Sequence, residues 1–165
     1  MEKKALLFID DDEVDRMAFL HYAKQEKLPF NCFLASSIKE ALKSIKSIEL
    51  DVIVTDYILG DGTAFDLLQY IKEIPFIIIT SYDNVEIAVK ALKAGASDYL
   101  IKEVDNNHLK ALEITIENAI KHKSLEKELY NYRNCLEDLV KEKIRELQKE
   151  IQMRKNTEAE LNLER

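Results

Sequence analysis

Up to about Lys121 the chain alternates short apolar runs with segments of helical period, five times over. The runs are residues 5–9, 30–34, 52–55, 76–79 and 99–101. Three of them are continuous β-branched or aromatic stretches, with no polar residue at every second position. Strands of this kind are buried on both faces, as in a parallel sheet covered by helices. Helical periods fall between and after them. Residues 14–25 follow Asp12, an N-cap residue, and residues 38–47 follow Ser37, which with Glu40 has the spacing of a capping box. Residues 64–72 follow a turn containing Gly60 and Gly62. Residues 85–94 follow Asp83 and stop at Gly95, a residue type that ends helices in the left-handed conformation. A last helix begins near Asn106. Such an alternation predicts a doubly wound α/β domain.

From about residue 117 Gly and Pro vanish and charge dominates, which predicts one long helix. Its apolar seam runs Leu125, Leu129, Tyr132 and Leu136, skips near Leu139 and Val140, and resumes at Ile144, Leu147 and Ile151. It then weakens through Arg154 and Glu158 to Leu161. Flanking Glu and Lys fit a coiled coil. A single solvated helix held by i,i+4 pairs is the alternative, but so narrow a stripe calls for a partner to bury it. A parallel homodimer is expected. The predicted division is residues 1–121 for the α/β domain and 122–165 for the coiled coil.

Bulk properties exclude several classes. A net charge of -7 with no basic run argues against nucleic-acid binding, which needs clustered Lys and Arg. Neither 5–9 nor 75–79 is long enough for a signal peptide or a membrane span. Cys32 and Cys135 have no metal-ligand spacing. A cytoplasmic protein with reduced thiols is expected.

The positions of the acids carry the chemistry. Asp10, Asp11 and Asp12 directly follow the first strand, and Asp56 follows the third. In a doubly wound sheet of order 2-1-3-4-5, strands one and three are neighbours, and ligands bind off their C-terminal ends. Asp10, Asp11 and Asp56 would then converge. Clustered carboxylates repel unless a cation holds them or they take up protons, and an open all-oxygen site suits Mg²⁺. Thr80 closes the fourth strand and Lys102 the fifth, so both reach the same rim. A carboxylate nucleophile, a divalent ion, a hydroxyl and an ammonium are what phosphoryl transfer to an aspartate requires. Each piece alone has a bland explanation: a triple Asp is commonly a solvated turn with a cap, and a closing Thr or Lys a solvated edge. Their joint placement at four strand ends is what chance does not supply.

These residues sit in motifs that resemble a known family. Leu-Phe-Ile-Asp10-Asp11-Asp12, Asp51-Val-Ile-Val-Thr-Asp56-Tyr-Ile-Leu-Gly-Asp-Gly, Ile79-Thr80-Ser81 and Gly95-Ala-Ser-Asp-Tyr-Leu-Ile-Lys102 together resemble a receiver domain of two-component signalling, over residues 4 to about 121. The resemblance implies a flavodoxin-like sheet of order 2-1-3-4-5. It also implies that Asp56 accepts a phosphoryl group from the phosphohistidine of a histidine kinase or phosphotransfer protein. Asp11, Asp56 and the backbone carbonyl of Ile58 would bind Mg²⁺, with Asp10 acting largely through water. Thr80 and Tyr99 match the family's switch pair, which alters the face of the fourth helix, fifth strand and fifth helix. A half-buried strand aromatic is equally compatible with Tyr99. Ile58 and Tyr82 occupy positions that tune access of the hydrolytic water; both are bulky, which implies slow self-dephosphorylation. The tail resembles signalling helices that join receivers to sensory or kinase modules, so a longer multidomain protein is expected.

Two departures stand out. Glu103 follows Lys102 where the family usually has Pro with a cis bond; a cis bond before a non-proline residue costs a few kcal/mol, so a trans bond and an altered loop are expected. Leu59-Gly60 replaces the usual Met-Pro, which should loosen that turn without removing a ligand.

Rival readings fit less of the sequence. Asp10-x-Asp12-x-Val14 also resembles the first motif of haloacid-dehalogenase-type phosphatases, with Asp10 as nucleophile and Asp12 as acid/base. That family needs a further acidic pair beyond its lysine, where only helix follows here, and Asp56 would have no role. A flavin or nucleotide fold needs a Gly/Ser/Thr-rich phosphate loop after the first strand, where three aspartates repel anions. An unphosphorylated dimerisation platform would leave the acids, Thr80 and Lys102 together without purpose.

Overall fold

The computed structural model describes residues 3–71, 73–81 and 84–164. Its main sheet comprises β1 (Lys4–Ile9), β2 (Phe30–Ala35), β3 (Val52–Asp56), β4 (Phe76–Thr80) and β5 (Asp98–Ile101), all parallel in the order β2-β1-β3-β4-β5. Helices α1 (Glu13–Gln25), α2 (Ile38–Ser47), α3 (Val85–Lys93) and α4 (His108–Leu163) complete the framework with a 3-10 segment, Ala64–Tyr70. The expected flavodoxin-like doubly wound α/β fold, with a long C-terminal helix, is the one observed. In these labels the switch face expected from the resemblance is α3, β5 and α4.

Period-two alternation within the strands sorts the core into two layers. Leu7, Ile9, Ile53 and Ile78 face Ala41 of α2, Leu67 of the 3-10 segment and Ala91 of α3. Their sequence neighbours Leu6, Phe8, Val52, Val54, Ile77 and Ile79 face Phe19 of α1 and Leu109, Leu112 and Ile116 of α4. Phe8 and Phe19 stack with ring centroids 4.2 Å apart. Continuous apolar strands are needed because each face has its own helical cover. α1 and the start of α4 share a face.

Helix ends follow local chemistry, with two departures from expectation. Asp12 caps α1, accepting from the Val14 amide at 2.8 Å. Ser37 accepts from Glu40 N–H at 3.2 Å, but the Glu40 carboxylate turns to the amide and hydroxyl of Ser36, both at 2.8 Å, so the predicted box is only half formed. The first two amides of α2 are satisfied from a distance: Asp61 accepts from those of Ile38 and Lys39 at 2.9 and 3.1 Å. α3 is capped by Asn84, which accepts from Glu86 and Ile87 amides; the expected cap Asp83 lies outside the described residues. Gly95 adopts φ of 101° after α3, as its residue type predicted.

The third helical segment was expected to be an α-helix and is a 3-10 helix instead. Seven residues rise roughly 14 Å in that form against about 10 Å in an α-helix. The stretched form brings a short connection nearer the length of the five-residue strands it returns along.

Contacts divide the chain into two units, residues 1–123 and 124–165. Along the second, Leu125, Leu129, Tyr132, Leu136, Ile144, Leu147 and Ile151 are all exposed. Pairs such as Lys143–Glu146 at 2.8 Å and Arg154–Glu150 at 2.6 Å lie on the helix surface. Among the described residues no helix is long and apolar enough to cross a membrane.

Candidate functional site

Sheet register builds the site. Ile9 pairs with Thr55, Asp56 with Ile79, and Thr80 with Ile101. The next residues along β1 and β5, Asp10 and Lys102, therefore reach the same C-terminal edge as Asp56 and Thr80. The Lys102 amide donates to the Thr80 carbonyl at 2.8 Å, carrying the β4–β5 ladder right up to the lysine.

One ammonium lies at the centre. Lys102 Nζ donates to Asp10 Oδ2, Asp15 Oδ2 and Asp56 Oδ2, each at 2.7 Å. Asp10 is fully buried, Asp56 partly buried, and the Lys102 side chain is 9% exposed. Asp10 also accepts from the Asp12 amide at 3.0 Å, which fixes its second oxygen. Asp11 is exposed. Ligand oxygens of Asp10, Asp11 and Asp56 lie within 4.8 Å of one another, the metal-capable cluster found among the described residues.

Charge at this rim is unbalanced. Burial pushes the Asp10 and Asp56 carboxyls above their ordinary value, and the nearby Lys102 opposes the rise without cancelling it. Burial alone would lower Lys102, yet its bonds to the three carboxylates carry it above its ordinary value. The two directions have different sources: burial disfavours the charged carboxylates, while three carboxylate partners favour the charged ammonium. The donor set is all oxygen, partly open to water, and short of positive charge. These are the properties that suit Mg²⁺.

The loop after β3 is better held than the expected loosening implied. Ile58–Leu59 pairs antiparallel with Gly62–Thr63, the Ala64 amide donates to the Tyr57 carbonyl at 2.9 Å, and Asp61 ties the loop to α2. Gly62 has φ of 156°, and a Cβ there would lie 2.6 Å from both Asp66 Oδ2 and Ile38 Cδ1. Those anchors replace the stiffness of the absent proline.

The loop after β5 also departs from the family pattern, as expected. No cis peptide occurs among the described residues, so the Lys102–Glu103 bond is trans. The Glu103 amide, which a proline would lack, donates to Nδ1 of His108 at 3.0 Å. Burial lowers His108 below its ordinary value, keeping that nitrogen available as an acceptor.

Other predicted residues are distributed as follows. Thr80 is fully buried at the end of β4. Tyr99 is half-buried on β5, packed against the core layer that contains Ile78 and Ala91. Ile58 is exposed. Tyr82 lies outside the described residues. Asp12 serves as the α1 cap and is not in the metal-capable cluster. Asp15 was not anticipated from the sequence; its signal was an acid one helical turn past the Asp12 cap, on a helix whose first turn borders the strand ends.

A family model described as the response regulator receiver domain matches residues 6–113. The chain belongs to that family. Receivers act in two-component phosphorelay signalling as phosphoacceptors rather than classical enzymes, and they bind Mg²⁺ at an acidic pocket, here the Asp10, Asp11 and Asp56 cluster. The receiver is 34% identical over 120 residues to the transcriptional regulatory protein ZraR of Escherichia coli K12, covering 70% of this chain and 26% of ZraR. It thus spans about a quarter of that relative's length. A receiver domain protein from Clostridium thermocellum superposes with a TM-score of 0.62 at 29% identity, over 74% of this chain and 98% of that one. The beryllofluoride-activated NtrC4 receiver domain dimer gives 0.62 at 28%, over 72% and 98%.

Because folding raises Asp56 above its ordinary carboxyl value, its ionisation costs stability as pH rises through the carboxylate range; in the protonated form that cost is absent. Asp56→Asn is therefore expected to melt about 2–5 °C above wild type at neutral pH. The gap should close as pH falls toward about 4. Calorimetric scans showing an equal or lower Tm for the variant at neutral pH would contradict this.

Proposed function

We propose that Asp56 accepts a phosphoryl group from a phosphohistidine of a histidine kinase or phosphotransfer protein, in a Mg²⁺-dependent reaction. An Asp56 carboxylate oxygen attacks phosphorus as the nitrogen–phosphorus bond breaks, and its electron pair stays with the imidazole nitrogen. Asp11, Asp56 and the Ile58 carbonyl are the residues suited to hold the ion, with Asp10 contributing through water. The ion's contribution is to offset charge on the transferring oxygens. Lys102 donates to a phosphoryl oxygen once Asp56 is esterified, and the Thr80 hydroxyl donates to another. The observation that carries this reading is the convergence of Asp10, Asp11, Asp56 and Lys102 at one sheet edge.

Thr80 and Tyr99 form the proposed switch: movement of Thr80 toward the phosphoryl group frees space for the ring, altering the face of α3, β5 and α4. α4 continues beyond the receiver, which gives such a change a route along the helix. Residues 1–121 are taken as the receiver and 122–165 as a parallel coiled coil that joins two copies and leads to a sensory, kinase or regulatory module. The exposed seam supports this reading. Sedimentation should give twice the chain mass, and Leu129→Asp with Leu136→Asp should halve it; a monomeric wild type would remove the coil.

Incubation with acetyl phosphate and Mg²⁺ should add one phosphoryl mass to the chain, and neither Asp56→Asn nor wild type with a chelator should gain it. Labelling that survives Asp56→Asn would reject the assignment. Turnover of phosphate monoesters dependent on Asp10 and Asp12 would favour the phosphatase alternative instead.

Ile58 and Tyr82 are proposed to slow hydrolysis of the phosphorylated form, since both are bulky and Ile58 cannot orient an attacking water by hydrogen bonding. The double variant Ile58→Asn, Tyr82→Glu should lose its phosphoryl group about tenfold faster than wild type. Equal decay rates would remove this role.

A further inference from the structure

Lys102 has three carboxylate partners, and one differs in kind from the others. An ammonium has three N–H donors, and here each meets a carboxylate at 2.7 Å: Asp10, Asp15 and Asp56. Asp10 and Asp56 belong to the acidic cluster able to hold a divalent ion; Asp15 does not. Two of the three partners of Lys102 would thus also serve an ion, Asp56 directly and Asp10 through water. Such an ion leaves Asp15 untouched.

Asp15 is also firmly placed. It lies in the first turn of α1, which Asp12 caps, at the helix end that favours negative charge. The next residue, Arg16, donates from Nη1 to the Asp10 carbonyl at 2.6 Å, fastening the same turn to the end of β1. The main chain around Lys102 is held separately, by the Lys102 amide on Thr80 and the Glu103 amide on His108. Only the long, rotamer-rich side chain of Lys102 needs a further constraint, and Asp15 supplies it from across the rim.

We propose that Asp15 is a positioning residue for the phosphotransfer reaction: it retains one N–H of Lys102 when the ion engages Asp10 and Asp56, and so aims the other two donors at the transferring phosphoryl oxygens. The inference rests on the phosphoacceptor reading above. It assigns Asp15 no contact with the phosphoryl group. A half-exposed ion pair serving stability alone is the rival explanation, and such pairs usually contribute little.

The test uses the full chain, saturating Mg²⁺ and acetyl phosphate, with labelling of Asp56 followed over time. Asp15→Ala should lower the rate constant at saturating donor about tenfold, with little change in the donor concentration giving half that rate. Asp15→Asn keeps a carbonyl acceptor at the same place and should stay within about threefold of wild type. In a Lys102→Ala background, Asp15→Ala should have no further effect, because the anchor acts only through the ammonium. Wild-type labelling by Asp15→Ala, an Asn variant as slow as the Ala variant, or an undiminished effect without Lys102 would each overturn the proposal. A wild-type chain that takes no label at all would instead remove the phosphoacceptor reading, and this inference with it.

Discussion

The site depends on one ammonium placed among more carboxylates than it can neutralise. Lys102 is nearly enclosed, and its charge survives burial because Asp10, Asp15 and Asp56 surround it. Asp10 and Asp56 in turn stay above their ordinary carboxyl value, because burial outweighs the one lysine that they share with Asp15. A compact divalent cation favours their charged form better than an ammonium, because it brings more charge and binds oxygen at shorter range. The resting arrangement is therefore a closed ion cluster of one ammonium and three carboxylates.

The fold supplies this arrangement at little local cost. Parallel strands with matched ends place four chain positions on one edge without special turns. Two apolar layers then clamp the edge from both sides, with α1 and α4 on one and α2, the 3-10 segment and α3 on the other. The connecting loops carry their own fastenings. Asp61 crosses to the N-terminus of α2, and His108 takes up the amide that follows Lys102. Each fastening satisfies a polar group that would otherwise be left unpaired.

Strand positions were legible because fully buried strands leave an unbroken apolar signature, and the resemblance to receiver domains implied their order. From those two facts Asp10, Asp11, Asp56, Thr80 and Lys102 fall on one rim. Asp15 cannot be placed that way, since its meeting with Lys102 depends on the rotation of α1 about its axis, which the α/β pattern does not specify. The roles of Asp61 and His108 were hidden for a similar reason: each pairs with a backbone amide distant in sequence or inside a loop of unpredicted shape. The 3-10 form of residues 64–70 is not legible in the sequence because its apolar spacing, with Ala64, Leu67 and Ile71 buried, also fits an α-helix. Length, not periodicity, distinguishes the two there.

Lys102 and the proposed divalent ion would draw on the same carboxylates, Asp10 and Asp56. Calorimetric titration of Mg²⁺ into Lys102→Met, compared with wild type, addresses this directly. Removing the ammonium should tighten binding at a single site, because Asp10 and Asp56 no longer have to be released from it. Binding that is unchanged or weaker without Lys102 would show that the ammonium does not occupy the ion's place, and that the two do not compete for these carboxylates.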